Sequence, residues 1–219
     1  CPESRGLGDV YKRQSLTINS RIQVGLNPER MAIANNKLYV TNSGGLNTPL
    51  MDSTVSIIDL NTQQEIEKIT VGMNPGTIKA DPYGDIYVVA RGNYSNVPSR
   101  MKRINSQTDN VEETFGADIS GISLFNNDFL ITYYDFATAQ NNVGLFNTNT
   151  ETIELAEFMP LNEIQTLYGL SYNPVNNKIY ISDAMGYTNT GYIREYDAQG
   201  NYIQSYHVGL NPSKILFYE

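Results

Sequence analysis

Tryptophan is absent from this 219-residue chain, and histidine and cysteine occur once each. A single cysteine, Cys1, permits no intramolecular disulfide and no thiolate cluster for zinc or iron–sulfur. One histidine, His207, is too few for a His-rich metal site. No stretch approaches the ~18 consecutive apolar residues that a membrane helix requires, and helical periodicity is missing throughout. Basic residues are also scarce: 15 against 23 acidic ones set the net charge at −8. Such a surface repels phosphate backbones and argues against nucleic-acid binding. The one local basic cluster, "RMKR" at Arg100 to Arg103, is short and reads as a solvated strand start.

Residues 1 to 14, "CPESRGLGDVYKRQ", differ from everything that follows. They lack strand alternation, and "RGLGDVYKRQ" resembles translated adaptor sequence, so they are read as a non-native or disordered leader outside the fold. On that reading Cys1 has no role, and because the leader carries a net +1 the remaining chain carries −9.

From residue 15 onward the chain repeats itself. "VGLNPERMAIANNKLYVTN" at Val24 returns as "VGMNPGTIKADPYGDIYVV" at Val71 and as "VGLNPSKILFYE" at Val208, with weaker copies from Gly116 and Ile164. The period is about 45 residues. Each unit runs through four short strands: "RMAIA", "KLYVTN", "TVSIIDL" and "EIEKITVG" in the first copy. "ANNK", "DPYGD", "FNNDF" and "NPVNNK" join the first two strands, with residues that tolerate turn dihedrals. "DLNTQQ", "NSQTDN", "NTNTET" and "DAQGN" join the last two. Four antiparallel strands per ~45 residues predict an all-β β-propeller, with about four blades and partial strands at either end. In V-G-x-N-P, Gly is expected to turn the chain sharply out of an outer strand, and Pro, lacking an N–H, to start the next inner strand.

These units resemble the YncE-like propellers, which read roughly V-G-x-x-P, then L-Y-V-T-N, then V-S-V-I-D-L-x-T. "VGLNPERMAIANNKLYVTN" followed by "STVSIIDLNTQQEIEKITVG" matches across one whole blade, and the weaker copies extend the likeness over residues 15–219. The resemblance implies a seven-bladed parent of which this chain is an N-terminally truncated part. The Asn- and Tyr-rich style is closer still to extracytoplasmic surface-lipoprotein propellers of Gram-negative anaerobes. That likeness implies a location in the periplasm or on the outer surface, a corrinoid such as cobalamin or a glycan as ligand, and an outer-membrane transporter as partner.

Catalysis finds little support in the residues. His207 lies near the end of a fourth, outermost strand and reads as a solvated strand residue, so no Ser-His-Asp or Cys-His arrangement is expected. "DAMGYTNTG" lacks the oxygen spacing of a calcium loop, and Asp81 and Asp85 in "DPYGD" read as turn formers. No cofactor and no metal are expected. Binding fits better, because the second-to-third strand loops are long and share one end of a propeller. They carry Asn42, Arg91, Asn93, Tyr94, Tyr134, Asp135, Phe136, Asp183, Met185 and Tyr187, aromatic faces beside hydrogen-bonding groups. Three functions are weighed: ligand capture, a protein-interaction platform on the same face, and a propeller enzyme with clustered titratable groups near the axis.

Overall fold

The structure, a computed structural model, describes residues 20–47, 49–116, 118–135, 140–161 and 163–217. The leader, residues 1 to 14, lies outside the described residues.

Among the described residues sixteen strands form four antiparallel sheets, each a meander of four consecutive strands. The first sheet comprises β1 (Pro28–Ala34), β2 (Lys37–Asn42), β3 (Thr54–Asp59) and β4 (Gln64–Thr70). In the second are β5 (Pro75–Ala80), β6 (Ile86–Ala90), β7 (Arg100–Asn105) and β8 (Asn110–Phe115). The third holds β9 (Ile119–Phe125), β10 (Asp128–Asp135), β11 (Gln140–Asn147) and β12 (Thr152–Leu155). The fourth holds β13 (Leu167–Asn173), β14 (Lys178–Asp183), β15 (Thr190–Asp197) and β16 (Tyr202–Leu210). The expected four-bladed propeller architecture is observed.

Strand alternation explains how the sheets stack. Side chains two residues apart share a face, so β2 sends Tyr39 toward the second sheet, where it joins Ile57, Ile78, Ile86 and Val88 in one apolar layer. The equivalent Tyr87 points the same way from β6 and packs with Met101, Phe129, Ile131 and Phe146. Leu130 of β10 then meets Ile179, Ile181 and Tyr196 of the fourth sheet. The core is therefore three layers between blades, and each fully buried Ile or Phe contributes roughly 1.5–3 kcal/mol.

The turns form for local reasons. Asn35 and Asn36 both take positive φ (48° and 59°) between β1 and β2, the conformation that a two-residue hairpin requires and that Asn tolerates. At every β3–β4-type hairpin an Asx side chain closes the turn: Asp59, Asn105, Asn147 and Asp197 each accept two nearby backbone N–H groups. The last residue of that turn, Gln63, Asp109, Glu151 or Gly200, has positive φ, and in the second and third sheets its carboxylate reaches the preceding sheet. Asp109 thereby receives Tyr39 Oη and Lys37 Nζ, both at 2.5 Å, and Glu151 pairs with Arg103 Nε at 2.6 Å.

Two sequence readings change. Arg100 to Arg103 is not a solvated face: Met101 is fully buried, and Arg103 on the same face pairs with Asp85, Glu112 and Glu151. In V-G-x-N-P the recurrent left-handed residue is Asn, not Gly. Asn27, Asn74 and Asn211 have φ of 48°, 57° and 51°, whereas Gly72 is the one glycine of the three copies with positive φ. Pro28 and Pro75 do open β1 and β5.

Candidate functional site

The repeat motif positions the loops. Backbone carbonyls of Leu26 and Asn27 accept N–H groups of Gly44 and Ser43, and those of Met73 and Asn74 accept Gly92 and Arg91 in the same way. Each entry turn thus holds the start of its own blade's second-to-third strand loop. Among the described residues these loops all lie at one end of the propeller, because every second strand ends there.

Several predicted site residues prove to be the loops' anchors. Asn42 is fully buried, accepts Gly25 N–H at 3.1 Å and donates to Thr54 and Ser56 hydroxyls. A Cβ on Gly25 would lie 2.5 Å from Asn42 Cγ, so close approach is why glycine stands there. Asp183, also fully buried, accepts backbone N–H groups of Gln165, Thr166 and Met185 and faces Arg194 at 3.2 Å. Burial alone would raise its carboxyl, but those donors hold it below the usual range. Arg91 pairs with Glu29 across the first two blades and donates to Asn74 Oδ1 at 2.8 Å. Asn93 closes its own loop by accepting Ser95 and Val97 N–H.

The aromatic residues stand differently. Tyr94 is 73 % exposed, Tyr187 54 % and Tyr134 38 %; the first two stand on loops, whereas Tyr134, expected in a loop, belongs to β10 and pairs with Asn141 of β11. Tyr94, Met185 and Tyr187 have φ of 57°, 46° and 67°, a left-handed backbone that costs a non-glycine residue roughly 1 kcal/mol or more. Tyr187 meets Tyr168 edge to face at 5.5 Å. Asp135 ends β10, and Phe136 lies outside the described residues. His207 is exposed, bonded to Thr190 Oγ1 at 2.7 Å. Among the described residues no group of three or more His, Cys, Asp or Glu side chains could hold a metal ion, and no helix is long and apolar enough to cross a membrane.

Sequence reasoning missed the central cavity. It has a volume of about 730 Å³ and is walled by β1, β5, β9, β13 and the segment Ser213 to Phe217. Strand register places equivalent residues around it. Arg30, Thr77, Gly121 and Gly169 share one level, and Lys79, Ser123 and Ser171 the next, while Lys214 lines the cavity from the segment after β16. The signal was present in "NPER" and "NPSK", where the cation stands two residues after Pro each time. Tyr168 and Glu29 also line the cavity, which links the loop tier to it through Tyr187 and Arg91. Lys79 is an exposed residue of the cavity wall, yet burial first, and then Arg30 and Lys214, push its ammonium down. Both hold because the solvent it touches is that of the cavity.

No family profile and no curated protein sequence matches the chain. Solved structures do. Hydrazine synthase of Kuenenia stuttgartiensis superposes with a TM-score of 0.65 at 16% identity, over 90% of this chain and 58% of that one. TolB from Acinetobacter baumannii gives 0.57 at 16% identity, over 86% and 45%. A chain of the nidogen/laminin complex gives 0.54 at 12% identity, over 82% and 63%. This chain thus spans between 45% and 63% of the length of those proteins. At such identities the likeness is one of fold, and that fold is the β-propeller.

Proposed function

We propose that the protein is a non-catalytic propeller that captures a polar or macrocyclic ligand outside the cytoplasm, at the end of the channel ringed by the second-to-third strand loops. One observation carries the reading: Tyr94 and Tyr187 stand exposed on second-to-third strand loops and Tyr134 near the end of β10, and Tyr94 and Tyr187 are held in left-handed backbone by turns locked to buried anchors. Backbone strain kept in place by over-determined loops is a mark of ligand clamps. Aromatic faces supply apolar contact, and nearby amide and backbone groups fix orientation. The resemblance to extracytoplasmic surface-lipoprotein propellers makes a corrinoid the first ligand to test and an oligosaccharide the second, with an outer-membrane transporter as the receiving partner.

Calorimetric titration of the chain with cobalamin and with an oligosaccharide panel tests this. Binding is expected to weaken at least tenfold in Tyr94→Ala and Tyr187→Ala. Binding unchanged in both variants would remove the loops from the site. The second reading is a protein-interaction platform on the same face, favoured by the likeness to a propeller solved in a nidogen/laminin complex. It takes over if neither ligand class binds.

A further inference from the structure

We propose that the central cavity is a binding site for a small multivalent oxyanion, held by Arg30, Lys79 and Lys214 below the loop tier. The inference concerns other residues than the aromatic rim and does not depend on it.

In a chain of net charge −8, three cations converge on one cavity. Arg30 on β1 and Lys214 after β16 each stand two residues beyond a Pro of the repeat motif, and Lys79 lies one level along from Arg30's equivalent Thr77 on β5. Among the described residues none of the three side chains has an ion-pair or hydrogen-bond partner, whereas Lys37, Arg91, Arg100, Arg103, Lys178 and Arg194 all do. Among the described residues the one carboxylate in the cavity wall, Glu29, is already engaged by Arg91. The cations therefore repel one another across the cavity mouth, where all three are exposed, without a free counter-charge among the described lining residues, and their mutual effect already reaches Lys79.

The wall between them suits an oxyanion. Hydroxyls of Thr77, Ser123 and Ser171 line the same two levels. Gly121 and Gly169 complete the upper one, where a Cβ would come within 2.8 Å of Thr132 Oγ1 and 2.5 Å of Ser182 Oγ, so neither strand carries a side chain into the cavity at that level. A guanidinium offers a planar fork to carboxylate or phosphate and an ammonium a point charge. Three positive charges match two or more negative ones, and the volume admits a molecule of citrate size or larger with water. Carboxylate and phosphate share this chemistry, and the test separates them.

Citrate and pyrophosphate are titrated calorimetrically into the 219-residue chain at low ionic strength, with sulfate as a simple-ion control. The expected result is saturable 1:1 binding of at least one probe, at least tenfold tighter than sulfate. Lys79→Met and Lys214→Met should each weaken it at least tenfold, while surface Lys68→Met leaves it unchanged. A preference for citrate assigns carboxylate, and one for pyrophosphate assigns phosphate. A second measurement needs no variant: amine acylation followed by mass spectrometry should show Lys79 protected by the bound probe and Lys68 not. Absence of binding by both probes, equal binding of sulfate, equal loss in Lys68→Met, or unprotected Lys79 would each overturn the proposal.

Discussion

At the scale of single residues, the Asn of V-G-x-N-P has two separable duties. Asn74 holds φ at 57°, and its side chain accepts from Arg91 and donates to Tyr94 Oη at 3.2 Å. Asn74→Gly keeps the backbone and loses the bonds, for a cost of about 1 kcal/mol. Asn74→Ala loses both and should cost about 2–3 kcal/mol in urea denaturation. Asp183 predicts a pH dependence. Its folded carboxyl is depressed, so the stability it contributes is present above the unfolded value near ~4 and is lost as pH falls through the folded one. Asp52, depressed although burial opposes it, acts in the same direction. Asp81, which burial raises, acts in the opposite one. Stability measured by urea at several pH values should fall below about pH 4, and Asp183→Asn should flatten that fall while costing about 2–3 kcal/mol at neutral pH.

At the scale of elements, blades are joined by apolar layers and by polar clasps at the outer hairpins. The clasp from Tyr39 and Lys37 to Asp109 is the clearest, since Tyr39 is fully buried and bonded to that carboxylate, which together push its phenol well above its ordinary value. Tyr39→Phe removes one donor but leaves Lys37 on Asp109, so the expected cost is about 1–2 kcal/mol. Asp109→Ala strands both partners and should cost more. Little loss in either Tyr39→Phe or Asp109→Ala, by thermal melting of the two variants, would place the energy in ring packing rather than in the clasp. The hairpin position that makes the clasp is the left-handed residue closing the Asx turn, so one local motif shapes the turn and aims the linking side chain.

At the scale of the molecule, each inner sheet face finds a partner sheet, and among the described residues the outward face of the first sheet does not. Met31 and Ile33 are 65 % and 60 % exposed there, beside β2, where Leu38 and Val40 share their face. Exposed apolar surface of this kind favours self-association. Sedimentation velocity should show concentration-dependent association of the chain, diminished in Ile33→Lys. A compact monomer at every concentration would instead mean that this face is satisfied within one chain.

Periodicity and turn chemistry alone determined the strands, their antiparallel order and the blade repeat, because alternation and Asn-rich turns are properties of neighbouring residues. The loop anchors were legible only as candidates: Asn42, Arg91 and Asp183 were noticed for their chemistry, but sequence cannot tell a side chain that reaches a ligand from one that holds a backbone. Burial decides that, and burial depends on which loop folds over which turn. Arg103 was misread for the same reason, since the acids around it come from other strands and from the next blade. The cavity lay furthest from view. Arg30, Lys79 and Lys214 stand far apart in the chain, and it is the stacking of blades around one axis that sets three cations facing one another.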